Sequence, residues 1–280
     1  MKLLRYGRPG REKPGILDSN GAIRDLSGRV DDITPEMLSP KALARLARIN
    51  PDRLPRVAGR PRIGPPVAGI RNFVAIGLNY TDHAEETGAA IPREPIIFTK
   101  HLSSICGPND DIVLPRKSKK GDWEVELGVV IGQTTKNVTK RDALSHVAGY
   151  CIVNDVSERE YQMERAGQWV KGKSLDTFGP VGPWLVTADE IRNPQRLGLW
   201  LELNGERVQD GTTQNMIFSV AHIVSYVSQF MTLMPGDLIC TGTPAGVGLG
   251  MKPQRFLKPG DVLRLGIDGL GEQRQKVVRA

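Results

Sequence analysis

Several things are scarce in this chain, and each scarcity excludes a class of answer. Cysteine occurs only at Cys106, Cys151 and Cys240, with no CxxC pair among them. That excludes a disulfide framework and a thiolate zinc site, and it suits a reducing compartment. No stretch approaches the roughly 18 apolar residues that mark a membrane span. The opening MKLLRYGRPGREKPG is basic but lacks the apolar run of a secretory signal. Aromatic residues make up 5%, too few for a base-stacking platform. There are 4 histidines (His83, His101, His146 and His222) and no HExxH pattern, which argues against catalytic zinc. A soluble cytoplasmic protein without a membrane partner is expected.

What is present fits that expectation. The 280 residues are 39% hydrophobic and 25% charged, and a chain of this size buries roughly three quarters of its extended-state surface. The formal net charge of +7 invites a nucleic-acid reading. Its distribution weakens that reading, because residues 1–70 hold 14 Lys or Arg against 7 Asp or Glu, and the remainder holds 24 of each. The basic residues are scattered through ARLARINPDRLPRVAGRPRIGPP and have no aromatic neighbours. They read as a solvated face with modest attraction for anionic substrates, and no nucleic-acid partner is expected.

Turn and cap signals organise the chain. Asp18-Ser19-Asn20-Gly21 separates two short apolar segments, a hairpin signal. The 38–49 stretch suits a short helix, with Ser39 as N-cap and Pro40 at the first position. The Pro- and Gly-rich 55–69 stretch reads as a linker. The predicted division is therefore a small N-terminal domain with linker at 1–69 and a main domain at 70–280. Short β-rich runs follow at 72–77, 95–100, 123–132, 148–154, 181–187, 196–203, 237–241 and 262–267. Helices are expected at 139–146, capped by Thr139, and at 218–231. The fold class is mainly β with some α, without the regular strand–helix alternation of a doubly wound fold.

The segment DWEVELGVVIG carries the clearest chemistry. Glu124 and Glu126 are two apart in a strand, so both carboxylates point to one side. Two like charges on a mostly buried strand are costly unless a cation lies between them. The plainer alternative is a solvated edge strand with salt-bridged glutamates. Asp155 ends the next apolar run and supplies a third carboxylate, completing an all-oxygen site that suits Mg²⁺ ahead of Mn²⁺ or Ca²⁺. His83 and Glu86 share one helical turn, so Glu86 can hold the imidazole as a base for water; ordinary helix capping is the alternative. His146 and His222 lie inside apolar helical patterns and read as structural, with His101 undecided. GQWVKGKSLDTFGP sets two lysines and an aromatic among glycines, and a lysine near the carboxylates could stabilise an enolate or oxyanion. Arg159 and Gln162 could face the same pocket. TGTPAG at 241–246 lacks the GK[ST] ending of a P-loop. Its Thr243 hydroxyl and nearby amides could still bind a carboxylate.

Taken in order, GLNYTDHAEE, DWEVELGVVIG, NDVSERE, QWVKGKSLDTFGPVGPW, LNGERVQDG, MIFSV, PGDLICTGTPAGVG and FLKPGDVLRLGIDGLG resemble the fumarylacetoacetate hydrolase family over roughly residues 70–277. The resemblance implies a mixed β-sandwich roll that dimerises, preceded by a small α+β N-terminal domain as in bacterial members. It implies a divalent metal on Glu124, Glu126 and Asp155, a catalytic pair His83–Glu86, and a substrate-contacting lysine that matches Lys173 more closely than Lys171. Arg159, Gln162 and Thr243 match substrate-side residues, and Tyr80 and Lys100 complete the candidate substrate-binding set. The implied substrates are 2,4-dioxo acids of the acylpyruvate type (fumarylpyruvate, an acylpyruvate or a 2,4-dioxo-3-deoxy sugar acid), cleaved to pyruvate and a second acid by metal-dependent hydrolysis of a C–C bond without an organic cofactor. Decarboxylation of oxaloacetate-like acids and isomerisation of a hydroxyhepta-dienedioate are the alternatives in the same family. A non-enzymatic anion-binding protein is a further alternative, and it would leave the three carboxylates dispersed.

Overall fold

The computed structural model describes residues 1–280. Its principal strands are β1 (Lys2–Tyr6), β2 (Lys13–Leu17), β3 (Ile23–Asp25), β4 (Phe73–Gly77), β5 (Ile96–Thr99), β6 (Val125–Ile131), β7 (Val147–Asn154), β8 (Gly179–Thr187), β9 (Gly198–Leu203), β10 (Glu206–Thr212), β11 (Leu238–Cys240), β12 (Val262–Ile267) and β13 (Gly271–Arg279). An 11-stranded sheet runs in the order β3-β2-β1-β8-β7-β6-β11-β4-β5, with Ile63–Gly64 on β1 and Ile105–Cys106 on β8. A five-stranded sheet orders β10-β9-β12-β13 and then Ile112–Leu114. Pairing is mostly antiparallel, but β11 runs parallel to β4. This is the mixed β architecture with an N-terminal α+β subdomain that the sequence led us to expect.

The alternation of β6 explains how the layers stack. Val125, Leu127, Val129 and Ile131 join a core shared with Leu199, Leu201, Leu263 and Leu265 of the five-stranded sheet. Val130 on the opposite face joins a second core with Cys151, Val153 and Cys240, closed by Leu3, Ile16, Leu38 and Leu54 of the N-terminal segment. Because successive side chains leave a strand on opposite faces, one strand serves both cores. The even-numbered face also carries Glu124 and Glu126.

Local signals place the smaller elements. The Asp18 turn closes β2 onto β3, with Gly21 N donating to Asp18 O at 3.0 Å. Helix α1 (Pro40–Leu46) starts where the Ser39 hydroxyl accepts from Ala42 N at 3.3 Å. Three further helices follow: α2 (Thr81–Thr87), α3 (Val170–Lys173) and α4 (Val220–Phe230), the last capped by Ser219. The helix expected at 139–146 is instead a turn followed by a 3-10 helix at Ala143–His146. Thr139 bonds the Asp142 side chain at 2.7 Å, and Ala143 alone of the 3-10 residues is buried. Local polar bonds therefore win where no apolar stripe supports a longer helix.

Gly149 marks the tightest approach of β7 to β8: a Cβ there would lie 2.2 Å from the carbonyl oxygen of Val186. Backbone cannot rotate out of the way, so Gly149→Ala should lower stability by about 1–3 kcal/mol or more. Urea denaturation measures this, and an unchanged midpoint would contradict the packing.

Candidate active site

The end of β6 gathers the chemistry. The register sets Val125 opposite Asn154 and Glu126 opposite Val153, and Asp155 N donates to Glu124 O at 2.9 Å. Asp155 therefore stands across from Glu124, and the three carboxyls share one face. On the other side of β6, Gly128 pairs with Cys240, and Gly242 N donates to Glu126 Oε2 at 2.6 Å. Glu126, Asp155 and Cys240, all buried, offer ligand atoms within 4.8 Å of one another.

Three buried cations meet these acids. Lys173 Nζ lies 2.7 Å from both Glu124 Oε2 and Asp155 Oδ2. Lys100 Nζ donates to Asp155 Oδ1 at 2.5 Å, to Val156 O at 3.2 Å and to Lys173 O. Arg159 Nε reaches Asp122 Oδ2 at 2.8 Å, while its Nη1 lies 2.7 Å from Glu124 Oε1 and 3.0 Å from Gln162 Oε1. Four acids (Asp122, Glu124, Glu126 and Asp155) thus face three cations, and Glu126 is the acid without a cationic partner. Burial, then the charges of Asp155 and Glu124, push its carboxyl well above the ordinary range. Burial works the same way on Glu124, but Lys173 and Arg159 outweigh it and hold that carboxyl low. For Lys173, burial favours the neutral amine, and Asp155 with Glu124 overcomes it to keep the ammonium charged.

The surplus acid is the feature a divalent cation would satisfy. The Glu126 and Asp155 oxygens suit a hard ion. The Cys240 thiol is pushed up by burial and then by Glu126 and Asp155, so it stays protonated and a poor donor.

His83 on α2 places Nδ1 3.3 Å from Glu86 Oε2. The other Glu86 oxygen accepts from Gly246 N at 2.9 Å, which ties the pair to the TGTPAG turn. A cavity of about 260 Å³ brings together His83, Glu124, Glu126, Arg159, Gln162, Lys173 and Thr243. Glu86 stands behind His83, and Asp155 lies beneath this floor. All three Lys100 N–H groups are taken inside the protein. The Tyr80 hydroxyl is buried without a partner in the larger core, and the residue is not part of the cavity lining. Lys171 is exposed. His146 bonds Thr135 and His222 packs edge-to-face between Phe218 and Tyr226, as structural histidines do. His101 is exposed and bonds Ser103.

Sequence reasoning passed over Asp122. Its carboxylate accepts from Trp123 N, Gly248 N and Leu249 N as well as from Arg159. It thereby fixes both the arginine and the 246–250 loop. The signal was present, since Asp122 extends the Glu124–Glu126 alternation by one step.

Residues 72–278 match the family pattern described as fumarylacetoacetate (FAA) hydrolase C-terminal. A Burkholderia cenocepacia chain, whose name gives a hydrolase and no substrate, is 61% identical over the full length of both. The structure is similar to that of the fumarylacetoacetate hydrolase of psychrophilic Exiguobacterium antarcticum (TM-score 0.89, 38% identity, all of both chains). It is also similar to 2-hydroxyhepta-2,4-diene-1,7-dioate isomerase from Mycobacterium marinum (TM-score 0.75, 35% identity, 100% of this chain and 98% of that one). A third similar structure is the maleylpyruvate hydrolase of Sphingobium sp. SYK-6 with manganese(II) and pyruvate (TM-score 0.83, 28% identity, all of both chains).

The ion cluster makes its own prediction. Lys100→Met would leave Asp155 with an unpaired oxygen and free two buried carbonyls, at a cost of about 3–5 kcal/mol. Lys171→Met, in an exposed position, should stay within about 0.5 kcal/mol of the parent. Equal unfolding midpoints for the two variants would contradict the assignment.

Proposed function

This chain belongs to the fumarylacetoacetate hydrolase family, and on that premise we propose that it hydrolyses a C–C bond of an acylpyruvate-type 2,4-dioxo acid, giving pyruvate and a second acid. The observation that supports this is a base pair, His83–Glu86, opening on the same cavity as a buried acid cluster with one carboxylate in surplus. Glu126 and Asp155, with Glu124 on the same face, would hold a divalent ion; Mg²⁺ suits these oxygens best, with Mn²⁺ and Ca²⁺ as alternatives. When bound, such an ion supplies Lewis-acid polarisation of the substrate's 2-oxo acid end, so no organic cofactor is required.

The protein's own groups carry the proton traffic. Glu86, fixed by Gly246 N, orients His83 so that the imidazole takes a proton from water. The hydroxide so formed adds to the C4 carbonyl. As that adduct collapses, the C3–C4 bond breaks, the acyl group leaves as a carboxylic acid, and the electron pair stays with C3 as pyruvate enolate. Lys173, kept charged by its acid neighbours, places positive charge beside that enolate. The proton held on His83 then returns to C3, so one water is consumed and pyruvate is released. Arg159 offers Nη2, which has no partner in the protein, to a substrate oxygen. Lys100 holds Asp155 and the end of α3 in place.

A second reading has support from the similar isomerase structure. There His83 and Glu86 move a proton between carbons and no water adds; decarboxylation of an oxaloacetate-like acid would use the same enolate. We place the enzyme in the cytoplasm as a homodimer, with residues 1–69 as a small N-terminal domain beside the catalytic domain at 70–280.

Chelator-stripped protein should release pyruvate and an equimolar acid from acetylpyruvate only when Mg²⁺ or Mn²⁺ is restored. Isomerised or decarboxylated product without a second acid would select the alternative. His83→Ala should keep metal binding by calorimetry while kcat falls at least about a hundredfold. Glu126→Gln should lose both. Full activity in either variant would overturn the reading.

A further inference from the structure

The upper part of the cavity is chemically unlike its floor. Ile96 and Phe98, two apart on β5, face one side of that strand. The Phe98 ring lies 5.4 Å from Lys173 Nζ, whereas Ile96 is 37% exposed at the mouth. Trp169 packs edge-on against Phe98, with ring centroids 5.3 Å apart and planes at 69°. The indole also lies so close to β4 that a Cβ at Gly77 would come within 2.5 Å of it. Glycine at 77 is what lets the indole lie there. Met163 and Leu249 add to the same lining. An apolar wall therefore runs from the ammonium of Lys173 to the cavity mouth.

Most polar groups near this wall are already engaged; the exception, Arg159 Nη2, belongs to the floor, where the substrate head takes it. The Thr243 hydroxyl donates to Val125 O at 2.9 Å and accepts from Gln209 at 2.8 Å. Gln162 Oε1 accepts from Arg159, and the Thr87 hydroxyl donates to His83 O at 2.8 Å. The two cavity cations, Lys173 and Arg159, are matched by the acids of the floor. A second carboxylate or a row of hydroxyls on the substrate tail would be desolvated there without partners.

We infer that the cavity selects 2,4-dioxo acids with a single carboxylate and an apolar acyl tail, aryl or alkyl, and that Trp169 sets this choice. This rests on reading the floor as a site for acylpyruvate-type acids. Trp169 lies one helical turn before Lys173, whose N–H donates to Trp169 O at 3.2 Å. The wall that meets the tail and the ammonium that meets the head therefore move as one short element.

The experiment compares benzoylpyruvate, acetylpyruvate and fumarylpyruvate on the Mg²⁺-loaded enzyme, by kcat/KM and by the rise in Tm that each acid causes. Benzoylpyruvate should exceed acetylpyruvate at least about tenfold, with fumarylpyruvate below both. Trp169→Ala should lower the benzoyl-to-acetyl ratio about tenfold, and Trp169→Phe should retain most of it. A ratio taken on one preparation is insensitive to the fraction folded. Preference for fumarylpyruvate, or an unchanged ratio in Trp169→Ala, would overturn the inference. If no acid is cleaved, the hydrolase reading fails, and the Tm order still decides the tail: a larger rise with benzoylpyruvate supports the apolar wall, and an equal or larger rise with fumarylpyruvate removes it.

Discussion

The burial of opposite charges at the end of β6 is the constraint from which the rest of the molecule follows. An ion removed from water is tolerated only when counter-charges and hydrogen bonds meet it closely. Here the partners come from distant parts of the chain: Lys100 after β5, Arg159 after the turn that follows β7, Lys173 at the end of α3, and Asp122 just ahead of β6. Each must arrive within hydrogen-bond reach or leave a charge stranded, so the surrounding loops are held to one arrangement. The cluster is also deliberately incomplete, since Glu126 alone lacks a cation. A protein that used these charges only for stability would gain by closing that gap with an apolar residue.

Much of this was legible in the sequence, and the legible parts share a physical reason. Glu124 and Glu126 had to share a face because strands alternate, and Asp155 ended the next strand, where the register sets it opposite Glu124. Ser39 announced its helix because an N-cap is a local event, and the 218–231 helix showed in its apolar spacing. What failed to show were facts of tertiary assembly. Residues 206–212 and 271–279 are too polar to declare themselves as strands, and only pairing with β9 and β12 makes them so. Lys100 read as a substrate group, yet nothing local says that its three donors are consumed by Asp155, Val156 and Lys173. Cys240 enters the acid cluster only because β11 lies beside β6. Trp169 was visible as an aromatic among glycines, but the glycine that admits it, Gly77, lies 92 positions earlier.

Head and tail of the cavity are built on different principles. The floor is specified by charge pairing, where a small displacement is expensive and the geometry is nearly fixed. The wall is specified by shape and hydration, where one side chain can be exchanged for another of similar volume at modest cost. The floor carboxylates come from β6 and the residues just before it and after β7. Ile96, Trp169 and Met163 themselves belong to neither core.

The two-faced role of β6 limits how such a chain can change over time. Losing or gaining one residue inside Val125–Ile131 would carry the carboxylates onto the side packed against Leu199 and Leu265, and would turn Leu127 and Val129 toward the cavity. Both cores and the site would fail in one event. Descendants of this sequence are therefore freer to lengthen, shorten or rewrite the stretches around residues 88–93 and 164–168, while the spacing of β6 is inherited intact.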